Sequence, residues 1–178
     1  MGWVGIWNRA GLGWIGKHTN LITRDYGSWI FLGELVLDVK LEYDIPFDDD
    51  LCGTCTACLD ACPTNAFPEP YVLDSNKCIS YLTIEHRGDI PAELEDKLSG
   101  WIYGCDICQE VCPWNITFSQ LSNEETFKPR ENLQERQISK WKELDKEDFQ
   151  FLFKNSAVKR TKFTGLKRNI DLVSKSNS

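Results

Sequence analysis

The spacing of its cysteines constrains this 178-residue chain more than any other feature of the sequence. A C-x2-C-x2-C-x3-C-P run begins at Cys52 and ends at Pro63, and a C-x2-C-x3-C-P run extends from Cys105 to Pro113. Cys78 lies between the two runs and brings the total to eight cysteines. Thiols gathered at such short intervals indicate either disulfides or a metal centre.

The first run has the spacing of the bacterial ferredoxin motif, in which three cysteines bind one 4Fe-4S cluster and the fourth binds another. Eight cysteines can supply two clusters with four ligands each. If the last cysteine of each run binds the cluster of the other run, the first ligand set is Cys52, Cys55, Cys58 and Cys112. The second ligand set is then Cys62, Cys78, Cys105 and Cys108.

Two other uses of the cysteines stay open. Disulfides are disfavoured because no secretory signal is recognisable, so a cytoplasmic location with reduced thiols is expected. A pair of four-cysteine zinc sites is the second alternative. Zinc sites normally combine two short two-cysteine motifs that a longer loop separates, whereas three closely spaced cysteines suit a cubane cluster better. No run approaches the roughly eighteen apolar residues of a membrane-spanning helix, so no membrane partner is expected.

Four consecutive parts are predicted, which together give an α+β fold. Residues 1–50 are interpreted as a mixed α/β segment, in which Ser28–Asp38 forms a buried strand broken by Gly33. The parts that follow are a ferredoxin-like two-cluster domain, a polar linker and a short basic helical-repeat segment, over residues 51–116, 117–138 and 139–178.

The C-terminal part combines helical periodicity with positive charge. Asp145 is predicted to cap a helix that buries Phe149, Leu152 and Phe153. A second helix is predicted to bury Leu166, Ile170 and Val173. Residues 154–178 hold seven Lys or Arg against one Asp, although the whole chain has a net charge of −7. This segment is either a solvated helix face or a surface for RNA phosphates.

A G-x-G-x-x-G motif spans Gly11 to Gly16. The dinucleotide fingerprint requires a strand directly before the motif and a βαβ unit around it, and this context is not predicted here. A tight turn that packs Trp14 is the simpler interpretation. A third is that the glycines let the backbone approach a large flat cofactor.

Beyond these motifs, five blocks of sequence resemble those of epoxyqueuosine reductases, and the intervals between the blocks agree as well. The blocks are RAGLGWIGKHTNLI, YGSWIFLGEL, CGTCTACLDACPTNAF, LDSNKCISYLTIEHRG and YGCDICQEVCPWN. The resemblance covers roughly residues 9–170, and the tail resembles the helical repeat of that family. It implies an oxidoreductase that uses cobalamin and two 4Fe-4S clusters to convert epoxyqueuosine to queuosine in tRNA. It implies further that residues 1–50 are a partial α/β cofactor-binding segment for cobalamin.

The resemblance also implies binding residues and partners. The residues nearest the corrin would be Ile22, Gly33, Ser80, Cys105 and Asp106. Contacts to tRNA carrying epoxyqueuosine would come from Lys159, Arg160, Lys167 and Arg168. Electrons would come from an external low-potential donor, and a monomer is expected. The two histidines, His18 and His86, are candidates for corrin ligands or for surface groups that face RNA.

The chain departs from the family at its beginning. The proton-donating Asp of the family lies upstream of the RAGLGW block, and Met1 to Asn8 contains no acidic residue. A catalytic acid is therefore not assigned, although Asp106 is a weaker candidate, and an N-terminally truncated reductase is expected. The alternatives are a ferredoxin-like electron-transfer module without its own activity and another corrinoid reductase, such as a reductive dehalogenase, which lacks the basic C-terminal repeat.

Overall fold

A computed structural model describes residues 4–130, 133 and 136–176. Backbone contacts divide the chain into two compact units. The first unit contains the residues up to Leu73 together with Ile107–Leu121, and the second contains Asp74–Asp106 together with the residues from Ser122 onward. Among the residues described, no helix is both long and apolar enough to cross a lipid bilayer.

Most of the regular structure is helical, with one small antiparallel sheet. In chain order the elements are α1 (Val4–Arg9), β1 (Trp14–Ile15), β2 (Leu21–Ile22), α2 (Ala57–Asp60), α3 (Ile79–Ile84), α4 (Ala92–Glu95), α5 (Ile107–Glu110), α6 (Pro113–Phe118), α7 (Ile138–Lys142), α8 (Lys146–Leu152) and α9 (Lys162–Ser176), with 3₁₀ turns at Glu125–Phe127 and Ala157–Thr161. The α+β prediction is thus confirmed only in its helices and a two-stranded sheet.

The core of the first unit forms around the β1–β2 hairpin. Trp14 pairs with Ile22 across the hairpin, and both side chains are buried against Cys112. Trp114 meets Trp14 edge to face with ring centroids 4.7 Å apart, which suits the opposed charge of ring face and ring edge. Phe47 stacks on Trp14 from the other direction, at 5.7 Å. The aromatic residues therefore build this core around one of the predicted cluster ligands.

The predicted buried strand Ser28–Asp38 is wrong for this structure. These residues form no strand, and most of their large apolar side chains are exposed, with Val36 at 96%. A strand needs a neighbour that accepts and donates its main-chain hydrogen bonds, and within the described residues this run belongs to no sheet. Its start is nevertheless fixed, because the Ser28 amide donates to Asn115 Oδ1 at 2.6 Å.

In the second unit, α9 packs against α3 and α7. The predicted apolar face of α9 is confirmed, since Leu166, Ile170 and Val173 are all buried. The predicted cap of α8 is confirmed as well, because Asp145 Oδ1 accepts a hydrogen bond from the Asp148 amide at 2.8 Å.

A buried polar side chain also holds the second unit together. Asn169, on α9, has no exposed surface, and its Nδ2 donates to the carbonyls of Thr83 and Ile102, each at 2.9 Å. Thr161 Oγ1 also donates to the Thr83 carbonyl at 2.9 Å. These bonds satisfy the buried Thr83 carbonyl near the end of α3 and the Ile102 carbonyl, which is distant from it in sequence.

Replacing Asn169 with Ala is expected to lower the free energy of unfolding by about 2–4 kcal/mol, because the change leaves buried carbonyls short of a donor. The measurement is urea unfolding of the cluster-loaded chain. Gln150→Ala on the exposed face of α8 is the matched control and should change stability by less than about 0.5 kcal/mol. Equal effects of the two changes would contradict the role of Asn169.

Candidate iron–sulfur centre

A cavity in the first unit brings together the whole first ligand set. Its volume is about 170 Å³, and its walls include Cys52, Cys55, Cys58 and Cys112. The remaining walls are formed by Lys17, His18, Ile22, Leu51, Pro113 and Trp114. Four cysteines that the sequence separates by up to 60 residues thus share one mostly apolar enclosure, which we call the cysteine cavity.

Short helices and turns set the directions of these cysteines. Cys58 lies in α2, which ends at Asp60, three residues before Pro63. Cys112 is the N-cap of α6, and Pro113 occupies the first position of that helix, where a missing amide hydrogen does no harm. Pro113 therefore begins α6 directly after Cys112, and it also follows the end of α5. Trp114 Nε1 donates to the Leu51 carbonyl at 3.2 Å and ties α6 to the first cysteine run.

Lys17 holds the loop between the first two cysteines. Its side chain is buried, at 8% exposure, and Nζ donates to the carbonyls of Gly53 at 2.6 Å and Cys55 at 2.9 Å. Asp50 fixes the start of the same loop, because its Oδ1 accepts from the Cys52 amide at 2.9 Å. Lys17 is not among the residues predicted for the site, and its only sequence signal is its position directly after the glycine motif and before His18.

The chemistry of the cavity fits an iron–sulfur cluster. Cys52, Cys55, Cys58 and Cys112 are thiols outside any disulfide. Burial raises the pKa of the Cys58 thiol to about 11, and the nearby Cys52, Cys112 and Cys55 contribute to the rise. Four thiolates in this enclosure would repel each other unless a cationic centre neutralised them. Iron bound by all four would supply that charge.

Each compact unit contains two cysteines of the predicted second ligand set. Cys62 and Cys108 belong to the first unit, whereas Cys78 and Cys105 belong to the second. Cys62 already has a donor near its sulfur, since the Ala66 amide lies 3.3 Å from Sγ. An N–H bond of this kind stabilises a thiolate ligand and influences the potential of an iron–sulfur cluster.

The glycine motif serves the chain's own fold. A Cβ atom at Gly13 would lie 2.0 Å from the Ile22 carbonyl oxygen, and one at Gly16 would lie 2.6 Å from Ile22 Cδ1. The glycines therefore allow β1 and β2 to approach each other closely. A tight turn that buries Trp14 accounts for the motif, and no helix follows it as a dinucleotide site requires.

The residues predicted to lie nearest the corrin are divided between the units. Ile22 has no exposed surface and lines the cysteine cavity, while a Cβ at Gly33 would meet no atom within 4 Å. Three others, all half-buried, belong to the second unit: Ser80, Cys105 and Asp106.

The basic residues predicted to contact tRNA differ in how freely they can bind a phosphate. Lys159 is exposed, and Arg160 is exposed beside its ion-pair partner Glu85. By contrast, the Arg168 guanidinium donates to the main-chain carbonyls of Leu82, His86 and Gly88. Lys167 similarly donates to the Lys142 carbonyl and lies 3.6 Å from Asp171. Lys159 and Arg160 are therefore the better placed pair.

The two histidines occupy different environments. His18 is 3% exposed in the wall of the cysteine cavity, so the surface role considered for it is wrong. Burial lowers its pKa from 6.5 to about 4. His86 is only half-buried, and its Nε2 lies 2.9 Å from the Asp89 carbonyl oxygen. Only the three-dimensional structure separates these two residues, because the sequence around neither one carries a metal-binding pattern.

The cysteine arrangement defines a class of protein. Residues 51–115 match the family model described as a 4Fe-4S double cluster binding domain. The chain therefore contains a domain of the two-cluster iron–sulfur class.

Comparison with full-length proteins narrows the class to one family. The chain is 52% identical over 165 residues to an epoxyqueuosine reductase from Cellulophaga algicola, covering 93% of this chain and 53% of that protein. It is 46% identical to the Escherichia coli epoxyqueuosine reductase, covering 91% and 42%. This chain is a homologue of the epoxyqueuosine reductases, and it spans about half the length of the curated relatives it matches.

Solved structures agree with this assignment. The epoxyqueuosine reductase structure from Streptococcus thermophilus superposes with a TM-score of 0.83 at 32% identity, covering 97% of this chain and 45% of that one. A second epoxyqueuosine reductase, solved with an epoxyqueuosine-modified tRNA-Tyr stem loop, gives a TM-score of 0.82 at 30% identity, covering 95% and 44%.

Replacing Lys17 with Met is expected to loosen the cysteine loop, because the Gly53 and Cys55 carbonyls lose their donor. Iron should then leave the first ligand set at least tenfold faster on addition of a chelator, since removal of even one hydrogen bond of about 1.4 kcal/mol is worth a factor of ten. Chelator-trapped iron release measures this rate. Exposed Lys97→Met is the control, and release at the same rate from both variants would contradict the role of Lys17.

Proposed function

We propose that this chain is the iron–sulfur part of an epoxyqueuosine reductase, an oxidoreductase that converts epoxyqueuosine in tRNA to queuosine. The observation that carries the proposal is the cysteine cavity, which gathers the first ligand set in a chain 52% identical to a named epoxyqueuosine reductase. A cytoplasmic location suits this chemistry, because the ligands must remain reduced thiols to bind iron.

In this proposal the chain's own residues hold and insulate the redox centres. Clusters of this type supply one-electron transfer when bound. The first ligand set binds one cluster and the second set binds the other. Trp14, Ile22 and Trp114 keep water from the first centre, since they form a packed wall around Cys112. A dry, shaped surrounding of this kind is one means by which proteins set cluster potentials.

The exposed apolar run after Ser28 fits a larger protein. Phe31, Leu35 and Val36 are between 85% and 96% exposed, and an exposed run of this size is typical of an interaction surface. Curated relatives are about twice as long as the matched region, and we expect this run to pack against the portion they add. Cobalamin would be bound by the complete reductase, with Gly33, Ser80, Cys105 and Asp106 among the residues of this chain near it.

The tRNA contact is proposed for the exposed pair Lys159 and Arg160. These residues lie in the 3₁₀ turn Ala157–Thr161, directly before α9. Their charged groups can neutralise phosphates without breaking the buried contacts of the unit, whereas recruiting Arg168 or Lys167 would remove bonds to main-chain carbonyls. One homologue has been solved with a modified tRNA stem loop, which supports an RNA partner of this kind.

A second candidate function is a ferredoxin-like electron-transfer module without chemistry of its own. The observation that favours it is that the cysteine cavity lies entirely within the first unit of this chain. Cluster binding by that set therefore requires no residue from outside the chain. The two candidates differ in whether electrons reach epoxyqueuosine or only another protein.

Iron and sulfide analysis tests the redox proposal. The anaerobically reconstituted chain is expected to hold about eight irons, and Cys58→Ser about four, because each cubane contains four. Residual binding through three cysteines would be detected by electron paramagnetic resonance as an altered cluster. Ser80→Ala is the control and should retain all iron. Stoichiometric zinc without charge-transfer absorbance would overturn the proposal in favour of zinc sites.

Activity separates the two candidate functions. The cluster-loaded chain receives a chemical reductant and cobalamin together with epoxyqueuosine tRNA, and queuosine is measured by mass spectrometry of the nucleosides. We expect little or no conversion by the 178-residue chain and conversion once the portion found in longer relatives is fused to it. Failure of the fused protein to convert the substrate, with both clusters present, would favour the electron-transfer module.

The salt dependence of binding tests the tRNA contact. Replacing both Lys159 and Arg160 with Ala is expected to reduce the slope of log K against log salt by about 2, which is about one unit for each phosphate that the protein no longer neutralises. The changes keep the Arg160 carbonyl that accepts from Arg87 Nη2, and they remove only the exposed ion pair between Arg160 and Glu85. Lys97→Ala serves as the control, and unchanged slopes for all variants would contradict the proposed contact.

A further inference from the structure

His18 carries an unused hydrogen-bond donor at the proposed first cluster. The side chain is almost fully buried, and its Nε2 atom has no hydrogen-bond partner among the described residues. Buried polar atoms are normally paired, so an unpaired one indicates a partner that belongs in the site. His18 lines the cysteine cavity, which supplies a place for such a partner.

The turn around His18 fixes which nitrogen carries the hydrogen. The Asn20 amide donates to His18 Nδ1 at 3.2 Å, so a lone pair occupies that position. The hydrogen of the neutral ring is then on Nε2. Two main-chain bonds of 2.8 Å close the turn, from the Gly16 amide to the Asn20 carbonyl and from the Thr19 amide to the Gly16 carbonyl.

Neighbouring atoms also restrict the position of the ring. His18 Cε1 lies 3.0 Å from the point where a Cβ atom of Gly16 would stand, so only glycine leaves room for the imidazole there. Lys17, the other polar side chain of this wall, already donates to two carbonyls. Trp114, which also lines the cavity, donates to the Leu51 carbonyl. Among the residues that line the cysteine cavity, His18 thus has the buried donor without a partner, and the acceptors expected there are sulfur atoms of the cluster and its thiolates.

We propose that His18 donates a hydrogen bond from Nε2 to a sulfur atom of the first cluster and thereby raises its reduction potential above that of the same cluster without the bond. The inference rests on the proposed iron–sulfur function. A reduced cluster carries one more negative charge than an oxidised one, so an N–H donor stabilises the reduced form more strongly. His18 acts here as a positioning and tuning residue rather than as a ligand.

Three variants test this role by redox titration followed with electron paramagnetic resonance. For His18→Phe, the ratio of reduced to oxidised first cluster at a fixed solution potential should fall about tenfold, which equals about 59 mV for a one-electron couple. His18→Gln keeps an N–H group near the position of Nε2. Its ratio of reduced to oxidised cluster should therefore lie between that of His18→Phe and that of the unaltered chain. His86→Phe makes the same chemical change in the second unit and should have no effect.

A measurement on the unaltered protein covers the case in which His18→Phe does not fold. Chain labelled with ¹⁵N in histidine should show hyperfine coupling of one ¹⁵N and one exchangeable proton to the reduced cluster. Absence of both couplings, or a titration unchanged in His18→Phe, would overturn the inference while iron analysis still shows two clusters. Loss of iron from the unaltered chain would instead count against the proposed function.

Discussion

Electrostatic repulsion among the thiolates of the cysteine cavity is the constraint on which the site depends. Cys58 is driven toward its neutral form by burial and by its neighbours, so the protein alone opposes the charge state that metal binding requires. A bound cluster reverses this balance, because the iron neutralises the ligands it gathers. Binding energy and folding energy are then the same quantity for this part of the chain. The surrounding residues need only hold the thiols close together until iron arrives.

The chain holds them with isolated hydrogen bonds rather than with long regular elements. The loop from Cys52 to Cys58 is fixed by Lys17 and by the Asp50 side chain, each of which bonds to the main chain. Such bonds are stronger than neutral ones, since a charged donor or acceptor takes part in each. A loop held in this way can follow the shape of a cubane, which no straight helix or strand does. The glycines of the hairpin contribute by letting Ile22 and His18 reach the same wall.

The sequence predicted those features that depend on local chemistry. Cysteine spacing indicated the cluster class, and the cap at Asp145 and the apolar face of α9 followed from helical periodicity. The burial of Lys17 and His18 could not be predicted in the same way. Lysine is rarely buried without a partner, and the partners here are carbonyls 36 and 38 residues away. Contacts of that range depend on the tertiary fold, which short motifs do not encode.

The run after Ser28 was predicted to be buried but is exposed, and the nature of hydrophobic patterns explains why that prediction failed. A hydrophobic pattern records the surroundings in which a segment is buried, and it carries no information on which residues provide them. Leu35 and Val36 have the composition of a core strand and the exposure of a surface loop. The hydrogen bonds between Ser28 and Asn115 fix the start of this run to the helix that follows a cluster ligand. The start of the apolar run is therefore tied to α6, the helix whose N-cap is Cys112, while the apolar side chains further along it stay exposed.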